Sequence, residues 1–219
     1  MSEINHEKVL ASPASHTKDE VRNAVRKVRG ALDEDVWAVA SEKICETVLE
    51  LEAVKRAETV FIYVGYGKEV ATLGLIEKLL EGGKRVCVPR IGNAKGVVKK
   101  GGEMKVIELL GLDVLKENSI GVLEPRKGKA FLGNPDVTVT PCVAATKYGA
   151  RLGQGGGYYD RYFEKVALTV RMCLAFECQV LGELPASEHD AVMDLVVTEE
   201  AVYQRDEVAI DEDGLWEET

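Results

Sequence analysis

No apolar run in this sequence approaches the roughly 20 residues that cross a bilayer. Its start, MSEINHEKVLASPASHTKDE, has no hydrophobic region of the secretory type. A cytoplasmic protein without membrane contact is therefore expected. The five cysteines (Cys45, Cys87, Cys142, Cys173, Cys178) are odd in number, form no close CxxC pair and mostly sit among Val, Leu and Ile. They read as reduced core thiols rather than a disulfide framework or a metal cage. Histidine is scarce too: three in all, two of them within the first 16 residues, and there is no G-x-S-x-G elbow. No internal repeat, low-complexity block or Pro/Ser linker divides the chain.

What is abundant is glycine, and most densely in one place. Arg151 to Phe163 reads RLGQGGGYYDRYF, with Gly153, Gly155, Gly156 and Gly157 inside five positions. Without Cβ atoms, successive backbone N–H groups can turn toward one point and cradle an anion. A helix over Tyr158–Val166 would add its N-terminus to that cradle. Arg151 and Arg161 contribute fixed positive charge, and Asp160 is placed to hold a metal beside a bound phosphate. The loop fits neither named phosphate motif: no register gives the Gly-Lys-Ser/Thr of a Walker A loop. Counting G-x-G-x-x-G from Gly153 ends on Tyr158. The plain alternative is a flexible loop closing on two core tyrosines.

The formal net charge is −9, and seven of those acids lie after Arg205 with no base among them, leaving −2 for the rest. Residues 206–219 read as a solvated acidic tail and residues 1–16 as a disordered start. Asp211, Asp213 and Gly214 do not make a calcium loop. Between these ends, residues 17–205 are expected to form one α/β domain. Thr17 is a good N-cap for a helix whose Val21, Val25, Val28 and Leu32 share one face. Lys18, Arg22, Arg26 and Arg29 form a basic stripe beside it, on sequence alone a solvated charged face. A second helix is expected over Val36–Lys55, a buried strand over Thr59–Val64, a helix over Val70–Leu80, and a strand Arg85–Val88 stopped by Pro89. Met104–Leu109 follows as a strand, Gly121–Lys129 as a loop, and Asp136–Thr140 as a strand leading into the glycine loop. Strands near Arg171–Phe176 and Met193–Val197 close the order. This alternation predicts a mainly parallel sheet covered by helices on both faces, a three-layer α/β/α fold with its ligand at the carboxyl ends of the strands.

With these pieces in order, the chain resembles the 5-formyltetrahydrofolate cyclo-ligase family, also called 5,10-methenyltetrahydrofolate synthetases, from about Lys18 to Thr198. The family's K-x-x-L-R opening appears as Lys18 to Arg22 with Val21 for Leu, and its E-[IV]-x-T as Glu69-Val-Ala-Thr72. Its G-K-x-[VI]-x-[VI]-P-R appears as Gly83-Lys-Arg-Val-Cys-Val-Pro-Arg90. Its most specific motif, G-x-R-L-G-x-G-x-G-Y-Y-D, runs from Gly149 to Asp160. Phe176, Gln179, Pro185, His189-Asp190, Asp194 and Val197-Thr198 follow in the family's order.

The resemblance implies ATP- and Mg²⁺-dependent closure of 5-formyltetrahydrofolate to the methenyl compound, with release of ADP and phosphate. It implies that Lys18, Arg22, Arg151, Leu152, Gly153, Gln154, Gly155, Gly156, Gly157, Tyr158 and Tyr159 bind ATP. Glu69 and the loop from Gln154 to Tyr158 would contact the folate. Asp160 and Asp190 would hold magnesium, and Arg151 and Asp160 are the catalytic candidates. The basic helix thereby becomes a nucleotide contact rather than a solvated face. Phosphoryl transfer asks for positioning and charge neutralisation more than a protein nucleophile, which suits a chain so poor in histidine.

Two positions depart from the family pattern: Ala145 and Thr146 replace a Phe-Asp pair, expected to reshape the pterin pocket, and Gln154 stands where a basic or aromatic residue is common. Alternatives are the same chemistry on another reduced pterin, such as a methanopterin derivative, and a non-catalytic nucleotide- or RNA-binding relative. A sugar-phosphate or acyl-CoA enzyme on a similar sheet is a third. The acidic balance disfavours nucleic acid, and a monomer is expected. Cys142, directly before the glycine loop, is the thiol nearest the cleft. If the thiols are inert, Cys142→Ser keeps wild-type turnover with and without reductant; a collapse in rate with unchanged melting would overturn the reading.

Overall fold

A computed structural model describes residues 13–92, 103–166 and 168–205. The acidic tail and residues 1–12 lie outside that range. Residues 13–16, expected to be disordered, instead form a 3-10 turn at Pro13–Ser15 with Pro13 buried. Thr17 then caps α1 (Lys18–Gly30) with a full capping box: its side chain accepts from Glu20 N, and the Glu20 carboxylate accepts from Thr17 N at 2.8 Å. The long second helix divides into α2 (Glu34–Glu50) and α3 (Glu52–Arg56), because Leu51 turns to ψ 131°. That turn buries Val54 and Ala57 against the core and aims the chain into β1 (Thr59–Ile62).

The helix expected from Val70 begins at Leu73, as α4 (Leu73–Glu81). Side-chain bonds hold the preceding residues: Ala71 N donates to Ser41 Oγ, and Thr72 Oγ1 donates to Tyr63 O at 2.8 Å. Next come β2 (Arg85–Arg90), β3 (Lys105–Leu109), β4 (Leu115–Glu117) and β5 (Leu123–Pro125). Pro89 does not stop β2. Pairing with β1 ends at Cys87, so the missing N–H falls where that side has no partner. The region expected as a loop from Gly121 contains β5, paired antiparallel with β4.

The remaining elements are β6 (Val137–Pro141), β7 (Ala144–Thr146), β8 (Arg151–Leu152), α5 (Tyr158–Phe163), β9 (Val170–Leu174), β10 (Val180–Leu181), β11 (Leu195–Val197) and β12 (Val202–Gln204). Among the described residues, seven strands make the main sheet in the order β12-β11-β9-β6-β1-β2-β3. Its inner pairings are parallel and only the edge strands β3 and β12 run antiparallel. Alternation along the strands separates two cores. Val60, Ile62, Val86, Val88, Val139 and Met172 meet residues of α2, α3 and α4 on one face. Phe61, Cys87, Cys173 and Val196 face α5 and its surroundings on the other. The fold is thus the mainly parallel α/β/α arrangement expected, with a thin far layer.

The glycine loop does not leave β6 directly. A β7–β8 hairpin intervenes and, with β10, forms a second sheet in the order β10-β7-β8. α1 docks on it through Val21 and Val25 against Val143, Ala144, Leu152 and Leu181. The hairpin turns at Gly149, whose φ is +86° and whose carbonyl accepts from Met193 N at 2.8 Å. A Cβ there would lie 2.1 Å from Met193 O. Gly149→Ala must therefore distort both the hairpin and its tie to the segment before β11. The expected loss is at least about 2 kcal/mol, roughly 5 °C in melting temperature. A calorimetric scan within 1 °C of wild type, with that threshold set by the same scaling, would refute it.

Candidate functional site

The basic stripe of α1 and the glycine loop face each other over the carboxyl ends of β1 and β6. Arg22 Nε donates to Gly153 O at 2.9 Å, and its guanidinium also meets Asp19 at 2.5 Å. Lys18 reaches Asp190 at 2.5 and 2.7 Å, while Asp190 also accepts from Ser187 N. Arg26 donates to Gln154 Oε1 at 2.7 Å, and buried Arg29 donates to Cys142 O at 3.3 Å. Each cation of the stripe is thus engaged by a different residue, and the stripe lies against the loop rather than on a fully solvated face.

Behind the loop, Arg151 of β8 is buried and donates to Asp160 Oδ1 at 2.7 Å and to Pro141 O at 3.3 Å. Asp160 also accepts weakly from Ala191 N. Arg161 donates to Gly156 O and lies over the Tyr158 ring. The loop bends where glycine permits, at Gly155 (φ +97°) and Gly157 (φ +61°). α5 has only six residues, shorter than the expected Tyr158–Val166 helix. So short a helix adds little dipole; loop amides and side-chain cations carry the positive field.

These residues enclose a cavity of about 260 Å³ that contains Lys18, Arg22, Arg151, the whole loop from Leu152 to Tyr159, Asp160 and Asp190. Every residue expected at the nucleotide or metal therefore meets in one place. Glu69 is apart, on the wall of a neighbouring cavity of about 490 Å³ built mainly of apolar side chains, among them Val64, Ile91, Met104 and Leu123. Pro141, Gln154, Tyr158 and Tyr159 belong to both walls, so the two spaces adjoin. Glu69 precedes α4 in a turn, with Oε2 accepting from Tyr66 N at 3.2 Å and Oε1 from Gln154 Nε2 at 3.0 Å. Its backbone carbonyl accepts from the Trp37 indole at 3.0 Å, and Lys68 sits over that ring. Burial pushes the Glu69 carboxyl above the usual carboxylate range, and the Gln154 bond opposes that push.

Three buried polar atoms on these walls have no hydrogen-bond partner: Arg29 Nε, Arg151 Nε and the Tyr159 hydroxyl. Unspent capacity at a cavity wall is what a bound ligand would use. Tyr159 stacks on Phe61 with its phenol pushed far up by burial, while the Tyr158 ring lies under Arg161; both line the two spaces. Sequence reading did not single out Arg29 as a wall residue, although its place in the stripe was the signal. It also missed Glu124, a buried carboxylate that accepts from Ile91 N and Gly92 N and shapes the larger cavity. Ala145 and Thr146 do not line that cavity. Both are buried in β7, and Thr146 Oγ1 accepts from Ala150 N to close the hairpin.

For a divalent cation the donor set is Asp160 and Asp190; among the described residues no group of three His, Cys, Asp or Glu is clustered for a metal. Two hard oxygen donors beside a phosphate cradle suit Mg²⁺, which takes one or two carboxylates and completes its shell with phosphates and water. Both carboxylates now hold cationic side chains, and a metal would have to displace those contacts.

Fold and cleft together define an α/β protein that sets a charged glycine-loop cradle beside an apolar ring-sized pocket. The chain belongs to the 5-formyltetrahydrofolate cyclo-ligase family, whose model matches residues 14–199. It is 31% identical over 194 residues to the 5-formyltetrahydrofolate cyclo-ligase of Mycolicibacterium smegmatis, covering 85% of this chain and 95% of that one. The Escherichia coli K12 cyclo-ligase is 29% identical over 185 residues, 82% of this chain and 99% of its own. Among solved structures, the 5,10-methenyltetrahydrofolate synthetase of Aquifex aeolicus superposes with a TM-score of 0.74 at 27% identity, covering 92% of this chain and 96% of that one. No helix among the described residues is long and apolar enough to cross a membrane.

Proposed function

We propose that this chain closes 5-formyltetrahydrofolate to 5,10-methenyltetrahydrofolate, consuming ATP with Mg²⁺ and releasing ADP and phosphate. The observation that carries the reading is the shared wall of the two cavities: a polyanion cradle opens beside a mostly apolar pocket with two carboxylates, Glu69 and a Glu124 taken up by the amides of Ile91 and Gly92. The pocket suits a flat pterin whose N–H donors meet Glu69. The cradle suits the phosphates, met by Lys18, Arg22, Arg151 and the loop amides from Gly153 to Gly157.

A formamide oxygen is a poor leaving group, so the reaction activates it. The formyl oxygen attacks the γ-phosphorus and ADP departs. N10 of the same substrate then adds to the formyl carbon. The C–O bond breaks to release phosphate, and the N10 proton is lost to give the N5–CH=N10 bridge. The substrate brings its own nucleophile. The chain supplies alignment of oxygen and phosphorus across the shared wall and neutralisation of charge on the transferring group. Arg151, freed from Asp160, is a buried guanidinium lining the cradle. Mg²⁺, when bound, neutralises phosphate charge, and Asp160 and Asp190 are the side chains that would hold it. Buried free thiols accord with a reducing cytoplasm.

Purified protein with 5-formyltetrahydrofolate, ATP and Mg²⁺ is expected to produce methenyl absorbance and ADP in equal amounts, and neither when one substrate is withheld. Absence of both products would sink the assignment. Arg151→Ala should lower kcat by roughly 10²–10³-fold, as loss of one preorganised donor does. Arg151→Lys should restore only part, lacking the planar fork. Because Arg151 is buried and paired, the Ala variant should also melt lower, so rates are compared well below its transition. Asp160→Asn should raise the Mg²⁺ concentration needed for half-maximal rate while leaving folate binding unchanged. Full activity in both variants at any Mg²⁺ would show the pair to be structural only.

A further inference from the structure

Among the described residues, Gln154 is the only one of the glycine loop whose side chain bonds to both sides of the cleft. Its Oε1 accepts from Arg26 of α1 at 2.7 Å, and its Nε2 donates to Glu69 Oε1 at 3.0 Å. Among the described residues neither Arg26 nor Glu69 has a direct ion-pair partner. The amide therefore lies head to tail between an exposed guanidinium and a carboxylate drawn into the apolar cavity. Each bond polarises the other. Gly153 and Gly155 flank it, and the carbonyl of Gly153 is held by Arg22, so Gln154 extends from a fixed backbone.

We propose that Gln154 is a positioning residue that carries the charge of Arg26 to Glu69, keeping that carboxylate ionised and aimed at the donor groups of the pterin ring. The proposal rests on the cyclo-ligase reading for its substrate but not for its electrostatics. With Oε1 held by Gln154 and Oε2 by Tyr66 N, each oxygen keeps a lone pair for the N–H pair of a 2-amino-4-oxo pterin. A protonated carboxyl would lose one of those acceptors. Burial favours that protonated form, and the bond from Gln154 is the largest influence opposing it. Gln154 carries no charge of its own, and Arg26 provides the cation from the helix.

Other groups around Glu69 do not replace this link. Arg29 of α1 also favours the ionised form, but at longer range and with its guanidinium given to Cys142 O. Lys68 is committed to Glu34 and Leu32 O. Across the cavity, Glu124 is taken by two backbone amides. The phenols of Tyr63 and Tyr159, raised further by burial and by Glu69 itself, stay neutral. Tyr66 and Tyr158 also stand on this wall.

The test is a ¹³C NMR titration of Glu69 in ligand-free protein, assigned with Glu69→Gln, for wild type, Gln154→Met, Arg26→Met, Arg26→Lys and the Gln154→Met/Arg26→Met pair. Gln154→Met keeps side-chain length and removes both bonds, and should move the Glu69 midpoint up by roughly one pH unit. Arg26→Met should move it the same way, the pair no further than Gln154→Met alone, and Arg26→Lys should recover part. In turnover, Gln154→Met should raise KM for 5-formyltetrahydrofolate roughly tenfold. It should also move the acid limb of kcat/KM for folate to higher pH, since binding that needs the ionised form is lost at a higher pH when the midpoint rises. An unchanged Glu69 midpoint, or additive effects in the pair, overturns the relay even if catalysis is normal. A shifted midpoint in a protein that forms no methenyl product leaves the relay standing and removes the cyclo-ligase reading.

Discussion

The grip of α1 on the loops above the sheet is the constraint from which the cleft follows. A helix turn brings every third or fourth residue to one side, and on this side the residues are Lys18, Arg22, Arg26 and Arg29. They hold Asp190, Gly153 O, Gln154 and Cys142 O respectively, partners far apart in the chain. The neighbouring stripe of Val21 and Val25 is buried on the small sheet, which fixes the rotation of the helix and so the aim of all four cations. Exposed ion pairs are weak individually. Here the apolar stripe supplies the docking and the cations supply the direction. Lose the rotation, and the glycine loop has nothing to span toward.

That arrangement also explains why one cleft can present two chemistries. On the cradle side the acids are paired to cations, Asp160 to Arg151 and Asp190 to Lys18, so the charges there balance pairwise. On the apolar side two carboxylates, Glu69 and Glu124, stand among aliphatic and aromatic walls, where each charge counts for more. Four residues form the boundary: Pro141 at the end of β6, Gln154 of the glycine loop, and Tyr158 and Tyr159 of α5.

Much of this was legible in the sequence because its signals are local. The Thr17 cap, the two stripes of α1, the apolar run at Thr59 and the cluster of glycines each follow from a few adjacent residues, and the parallel order of the sheet follows from their alternation. What escaped depends on distant partners. β4, β5, β7, β8 and β10 are two or three residues each, too short to show a period, and exist because another strand lies alongside. Pro89 reads as a stop until one knows that its neighbour strand has already ended. Glu124 reads as a loop acid until the backbone of Ile91 and Gly92 arrives above it. The bridge through Gln154 was least visible of all, since its two partners are 128 and 85 residues away.

Trp37 gives the cleft an optical consequence. Its indole N–H is tied to the carbonyl of Glu69 and an ammonium lies 5.2 Å from its ring centre. An indole excited state is strongly dipolar, so its emission responds to the charge and hydrogen bonding around it. The sequence has one other tryptophan, Trp216, and a Trp216→Phe background would leave a single fluorophore. Events at the turn that carries Glu69 would then be written in the colour and intensity of one ring, without any label attached to the protein.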